Sequence, residues 1–216
     1  MHKTPRTAPV VVDGDSYAVL IDAVGERTRC IVESLRGLSD DELHLPSELP
    51  GWSRLTIACH LRYGAQTLGR MTSSALEGQP VAYYPGGREV QRPRTLVPLE
   101  GESPLAVVES LARSSEELEH AWSALDPEAW SVDVVEPPQA RDLGPVPLGR
   151  LPLLRSTEVE VHGTDLGLGL DDWSTLFVTT VLPMRLEWLN TRRANHRAFD
   201  AELEGSWRLV ATDGPT

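Results

Sequence analysis

The placement of proline constrains this chain more than any other feature. Pro46 and Pro50 fall close together, several more lie within residues 79–103, and another group lies within 136–147. A proline has no amide hydrogen to donate and pushes the preceding residue out of the helical region, so these clusters mark where helices cannot run. The stretches between them carry apolar residues at helical spacing. The first can be capped by Asp15 or Ser16 and runs to Leu38 through Leu20, Ile21, Val24, Ile31 and Leu35, with one further short turn at Ser39-Asp40-Asp41-Glu42-Leu43. Ser53 stands where an N-cap belongs, and a second helix is predicted over 54–77. Pro104 suits the first turn of a third, which continues through Leu111, Leu118 and Trp122 to residue 125. A fourth is predicted over 148–166, stopped by Gly167 and Gly169. A fifth starts at Asp171 or Asp172 and runs through Trp173 to residue 193, kinked or broken at Pro183.

The remainder reads as connections. Residues 79–103 form a long loop around Pro85-Gly86-Gly87, and residues 136–147 form a second. Residues 131–135 suit a strand or extended arm, and 206–211 a lone strand. The expectation is a mainly α protein: a flexible start over 1–13, a four-helix bundle with long loops over 14–195, and a short C-terminal extension over 196–216.

At 216 residues the chain can bury one good core. Its formal net charge of −12 opposes nucleic acid and anionic membranes, both of which need clustered positive charge. Cys30 and Cys59 lack metal or redox spacing and read as core residues. No apolar stretch follows the opening residues as in a signal peptide, and no run approaches a membrane span, so a soluble, reduced, cytoplasmic protein is expected. There is no dinucleotide fingerprint, phosphate-binding loop or nucleophile elbow.

Two stretches carry the chemistry: Gly51-Trp52 through His60-Leu61, and Arg155 through Leu166. Glu158 and His162 are four residues apart on a predicted helix, so both can reach one cation, and His60 would complete the set from a neighbouring helix. Two imidazoles and one carboxylate leave a divalent metal an open position, as in catalytic zinc sites. Arg155 and Asp165 extend the row to either side. Spacing alone leaves two readings open: a metal centre, or the solvent face of a helix. Near His60, Tyr63 can donate a hydrogen bond. Gly64 allows either close ligand approach or tight helix packing, and Trp52 either packs before the helix or stacks on a ligand. Arg88, Arg92 and Arg94 are candidates to bind anionic groups, or are simply solvated.

At these same stretches the chain resembles the mycothiol-dependent maleylpyruvate isomerase family, within the DinB-like metalloenzyme superfamily. The matching residues are Gly51-Trp52, His60-Leu61, Arg155, Glu158, His162 and Asp165-Leu166. The resemblance covers roughly residues 10–195. It implies a DinB-like four-helix bundle, a zinc-like ion on His60, Glu158 and His162, and mycothiol as co-substrate. Nickel, iron and cobalt also suit such a donor set.

On this reading Tyr63, Arg155 and Asp165 surround the chemistry, and Trp52, Gly64 and Arg88 contact the thiol. The resemblance places part of the isomerase's substrate machinery in a C-terminal domain, where residues 196–216 offer one strand-like stretch. The first expectation is therefore a metal-dependent thiol transferase acting with mycothiol, or a similar thiol, on a small electrophilic metabolite. The alternatives are a cis–trans isomerase of the maleylpyruvate type, a metallohydrolase in which metal-bound water is the nucleophile, and a non-enzymatic binding module. The partners are small molecules, with a homodimer left open.

Overall fold

The computed structural model describes the backbone of residues 14–135, 145–192, 197–203 and 207–213, and side chains within 16–135 and 145–187. The expected flexible start over 1–13 and most of the 136–147 loop lie outside the described residues.

The protein is mainly α-helical. Four long helices form the bundle: α1 (Gly14–Arg36), α3 (Arg54–Leu76), α5 (Pro104–Ser123) and α6 (Arg150–Asp165). Helix α1 packs on α5 and α6, and α3 packs on the same two from the other side. One core cluster fills the end near the α3 N-terminus with Ile31, Leu35, Leu55, Ile57, Leu111 and Val159; a second lies further along with Leu68, Met71, Leu118, Trp122 and Leu151. The helix starts follow the local chemistry. Ser53 Oγ accepts from the Thr56 amide, Ser103 Oγ from Ala106, and Pro104 occupies the first turn of α5. The short α2 (Asp40–His44) begins with a capping box, in which Ser39 and Glu42 satisfy each other's amides.

Four expectations are corrected. The 79–103 segment is not all loop: Arg88–Thr95 forms helix α4, and Tyr83 and Tyr84 before it are buried. The proline content hid this helix, because Pro93 sits inside it. The fifth helix starts later than Asp171–Asp172, with a π-helical turn over Phe177–Val181 leading into α7 (Leu182–Arg192). The register changes just before Pro183, which cannot donate to an α-helical partner. The C-terminal strand is not alone, since β3 (Arg197–Leu203) and β4 (Trp207–Asp213) form an antiparallel hairpin pairing Arg197 with Asp213 and Leu203 with Trp207. Cys30 is exposed on α1 rather than in the core, whereas Cys59 is buried as expected. The predicted arm at 131–135 appears as β1 (Asp133–Val134), paired antiparallel with β2 (Val146–Pro147). Among the described residues no helix is long and apolar enough to cross a membrane.

Candidate metal centre

Helices α3 and α6 meet at the site, and backbone contacts fix how they meet. Before α3 the chain turns at Gly51, whose φ of 81° is the left-handed region glycine tolerates. Pro46 and Ser53 form a β-bridge across that turn. The Glu48 amide donates to the Asp165 carbonyl at 2.8 Å, and Arg54 Nε donates to the Leu166 carbonyl at 3.2 Å. The start of α3 is thus tied to the end of α6. Trp52 lies just before α3, and His60 follows about two turns into it.

This docking brings the predicted triad together. One ligand atom from each of His60, Glu158 and His162 lies within 4.8 Å of the other two. Glu158 Oε2 is 2.7 Å from His60 Nε2 and 4.0 Å from His162 Nε2. The 2.7 Å contact is not aligned as a hydrogen bond, and Glu158 Oε2 is buried without a donor. A buried carboxylate oxygen in that position is costly unless a positive charge meets it. Ligand atoms on a tetrahedral zinc are about 3.3 Å apart, a spacing small side-chain adjustments reach from here. The chemistry and placement of the three residues fit a divalent cation.

Electrostatics point the same way. Burial alone would push the Glu158 carboxyl up. The charges of His60, His162 and Arg155, with the short His60 contact, outweigh it and hold the pKa at about 2. Glu158 is therefore a carboxylate at every physiological pH, as a metal ligand must be.

The neighbouring residues divide into those that hold the ligands and those that line the opening. Asp165 Oδ2 lies 2.8 Å from His162 Nδ1, which fixes that ring and turns its Nε2 toward Glu158. His60 has no such partner; its Nδ1 is buried and unbonded. Packing orients it instead, edge-on to Trp52 at 5.4 Å and to His162 at 4.9 Å. Trp52 also stacks on His162 with ring centroids 6.0 Å apart and planes at 17°. It is both the packing residue before the helix and a wall of the site.

Arg155 is completely buried. It donates to the Leu61 carbonyl at 2.8 Å and to Ser115 Oγ at 3.1 Å, bracing α6 against α3 and α5. Burial lowers its pKa against the pull of Glu158 and Tyr83. It supports Glu158 from behind and does not face the opening. The same is true of Gly64, where an added Cβ would lie 3.1 Å from Arg155 Nη1 and 3.4 Å from the Tyr83 hydroxyl. These distances are those of tight helix packing. Tyr63 is spoken for as well, donating to the Tyr83 carbonyl at 2.9 Å while its ring stacks on Tyr84 at 5.5 Å. Tyr83 and Tyr84 were not singled out by sequence; the visible signal was an adjacent aromatic pair inside a polar, proline-rich stretch. Arg88 opens α4, with its Nε buried and unpartnered.

The solvent-face reading of the Arg155–Asp165 row does not hold, since the row descends from a fully buried arginine to half-buried ligands. Glu160, two residues from Glu158 on α6, points elsewhere and pairs with Arg27 at 3.2 Å.

Residues 24–167 fit the family described as the mycothiol maleylpyruvate isomerase N-terminal domain, and that span contains α3, α6 and the whole triad. The chain belongs to this family. Among solved structures it is similar to the mycothiol-dependent maleylpyruvate isomerase, at 25% identity and a TM-score of 0.59, over 70% of this chain and 60% of the isomerase. A histidine-to-alanine variant of that isomerase matches with a TM-score of 0.60 at the same identity and coverage. The chain thus spans 60% of the length of the solved relatives it matches. No curated protein matches it.

Proposed function

We propose that this protein is a mycothiol-dependent enzyme of the isomerase type, with His60, Glu158 and His162 holding a divalent cation beside which a thiol is activated. The observation that carries this reading is the convergence of three metal-type ligand atoms within 4.8 Å, in a chain of a mycothiol-named family. A cation bound there supplies the positive charge that favours thiolate over thiol at neutral pH, where a free thiol of pKa about 8.5 is mostly protonated.

The chain's own residues prepare that step. Asp165 holds the His162 ring in place, and Arg155 keeps α6 seated under Glu158. Trp52 covers one side of the triad and sheds water from it. The thiolate then adds to an alkene carbon conjugated with a carbonyl, and the π electrons move to the carbonyl oxygen. Rotation about the resulting single bond and expulsion of the thiolate restore the double bond in the trans form. No oxidant or reductant is needed. Transfer to a metabolite shares the addition and stops at the thioether. The names of both solved relatives favour isomerisation over the transfer expected from sequence.

The test follows a cis-configured unsaturated keto acid, maleylpyruvate first, by proton NMR with zinc-loaded protein and mycothiol. Conversion to the trans isomer should need both zinc and thiol and be lost in His60→Ala and His162→Ala. Undiminished turnover and metal content in both variants would sink the assignment, and a stable thioether product would return it to the transferase.

A further inference from the structure

The infrequent feature of helix α4 is a pair of arginines with nothing to neutralise them. Arg88 and Arg92 are four residues apart and share a face of the helix. Like charges at this spacing repel. Elsewhere the bundle answers its arginines: Arg27 meets Glu160, Arg36 meets Glu109, and Arg62 meets Glu102. Among the described residues neither Arg88 nor Arg92 forms an ion pair, and Arg88 Nε is buried with no hydrogen-bond partner.

Their position gives the pair a use. The Arg92 guanidinium lies over the Trp52 ring, 5.3 Å from its centroid, and the His60 and His162 rings pack against the same tryptophan. Tyr84 feels both arginines and Glu158; burial raises its hydroxyl pKa, while Arg92 and Arg88 draw it down. Trp52 therefore links the arginine face of α4 to the triad, and Tyr84 lies within the field of both.

We infer that Arg88 and Arg92 form a carboxylate subsite that anchors an anionic electrophile beside the metal triad. The inference rests on the proposed function for its neighbouring chemistry and adds the residues that would hold the unsaturated acid of that reading. An overall charge of −12 repels such a molecule at long range, so a local positive patch is needed to hold it. The guanidinium fork accepts a carboxylate in a bidentate pair, which also fixes its direction. A carboxylate held there turns the conjugated carbon toward the triad, and the same positive charge offsets the negative charge that addition places on the carbonyl oxygen.

The test is calorimetric titration of succinate, a saturated and unreactive dicarboxylate, into chelator-treated full-length protein at low salt. Wild type should bind, and Arg88→Met and Arg92→Met should each weaken binding about tenfold, the loss of one charge-assisted contact. Arg92→Lys should fall between, keeping charge without the fork. Arg94→Met should bind as wild type, because Arg94 is exposed and lies about 200° around the helix from Arg92. No binding by wild type, unchanged binding in both methionine variants, or equal weakening in Arg94→Met would overturn the inference. Tighter binding of inorganic phosphate than of succinate would overturn the carboxylate assignment. Cation and thiol are absent throughout, so loss of isomerase activity and loss of the subsite are separate results.

Discussion

At the scale of single residues, partner groups decide which side chains act and which are inert. His162 is held through Nδ1 by Asp165, whereas His60 Nδ1 has no partner and that ring is set by packing and its 2.7 Å contact with Glu158. Asp165→Asn should therefore weaken zinc affinity by roughly 10- to 100-fold in a chelator competition, through loss of the group that orients the ring. Unchanged affinity would show that Asp165 only decorates the helix end. The cysteines differ in the same way. Burial pushes the Cys59 thiol up to about 11, while Cys30 is exposed. A thiol of pKa about 11 is thiolate at about one part in a thousand at pH 8, and only the thiolate attacks iodoacetamide. Folded protein at pH 8 should take one label, on Cys30, by mass spectrometry. Labelling of Cys59 should rise as the pH climbs toward 11, or at pH 8 once urea unfolds the chain. Rapid labelling of both at pH 8 would contradict the burial of Cys59.

At the scale of elements, α3 carries two glycines that the sequence cannot tell apart. An alanine Cβ at Gly69 would find only Leu118 Cδ1, at 3.9 Å, so Gly69→Ala should stabilise the fold by about 0.5–1 kcal/mol through helix propensity. At Gly64 the same methyl meets the Arg155 guanidinium at 3.1 Å. Arg155 is pinned by Leu61 and Ser115 and cannot swing away cheaply. Gly64→Ala should lose that gain and more, and should also weaken zinc binding by disturbing the support of Glu158. Urea melts of the two variants check the contrast; equal stabilisation would remove Gly64 from the site's framework. The sequence legible here was the part with a period. Apolar spacing, Ser53 and Pro104 marked the bundle helices, and the Glu158–His162 spacing marked the half-site on α6. Helix α4 was hidden because a proline and a run of charges outweigh an eight-residue pattern, although Thr95 within it and the tyrosines before it are buried. The β3–β4 pairing was hidden because pairing is a relation between two segments, and only one looked like a strand. The contacts of Tyr63, Gly64 and Arg155 were hidden for a related reason: side-chain type names what a residue can do, whereas its partner lies twenty or ninety residues away.

At the scale of the whole molecule, the bundle must hold α6 in one rotation, because a turn of that helix would carry Glu158 and His162 away from His60. One buried ion pair on the side of α6 remote from the triad does much of this. Arg27 of α1 meets Glu160 at 3.2 Å and crosses α6 at Gly163, where an added Cβ would lie 2.8 Å from its Nη2. It also donates to the Leu170 and Asp172 carbonyls, which places the chain that leaves α6. Glu160 in turn accepts from the Ser174 amide. Removing one partner strands the other charge in a buried position, so Arg27→Met should cost about 3–5 kcal/mol in a urea melt. Replacing both charges, Arg27→Met with Glu160→Gln, removes the stranded carboxylate and should recover a substantial part of that loss. The two variants should separate in metal binding. Arg27→Met frees α6 to shift toward relief of Glu160 and should weaken zinc affinity even where the protein is still folded, while the double variant should bind zinc more nearly as wild type does. If the double variant is no more stable than Arg27→Met, the stranded charge is not the source of the loss, and the rotation of α6 must be set by the apolar contacts of Val159 and Leu166 instead.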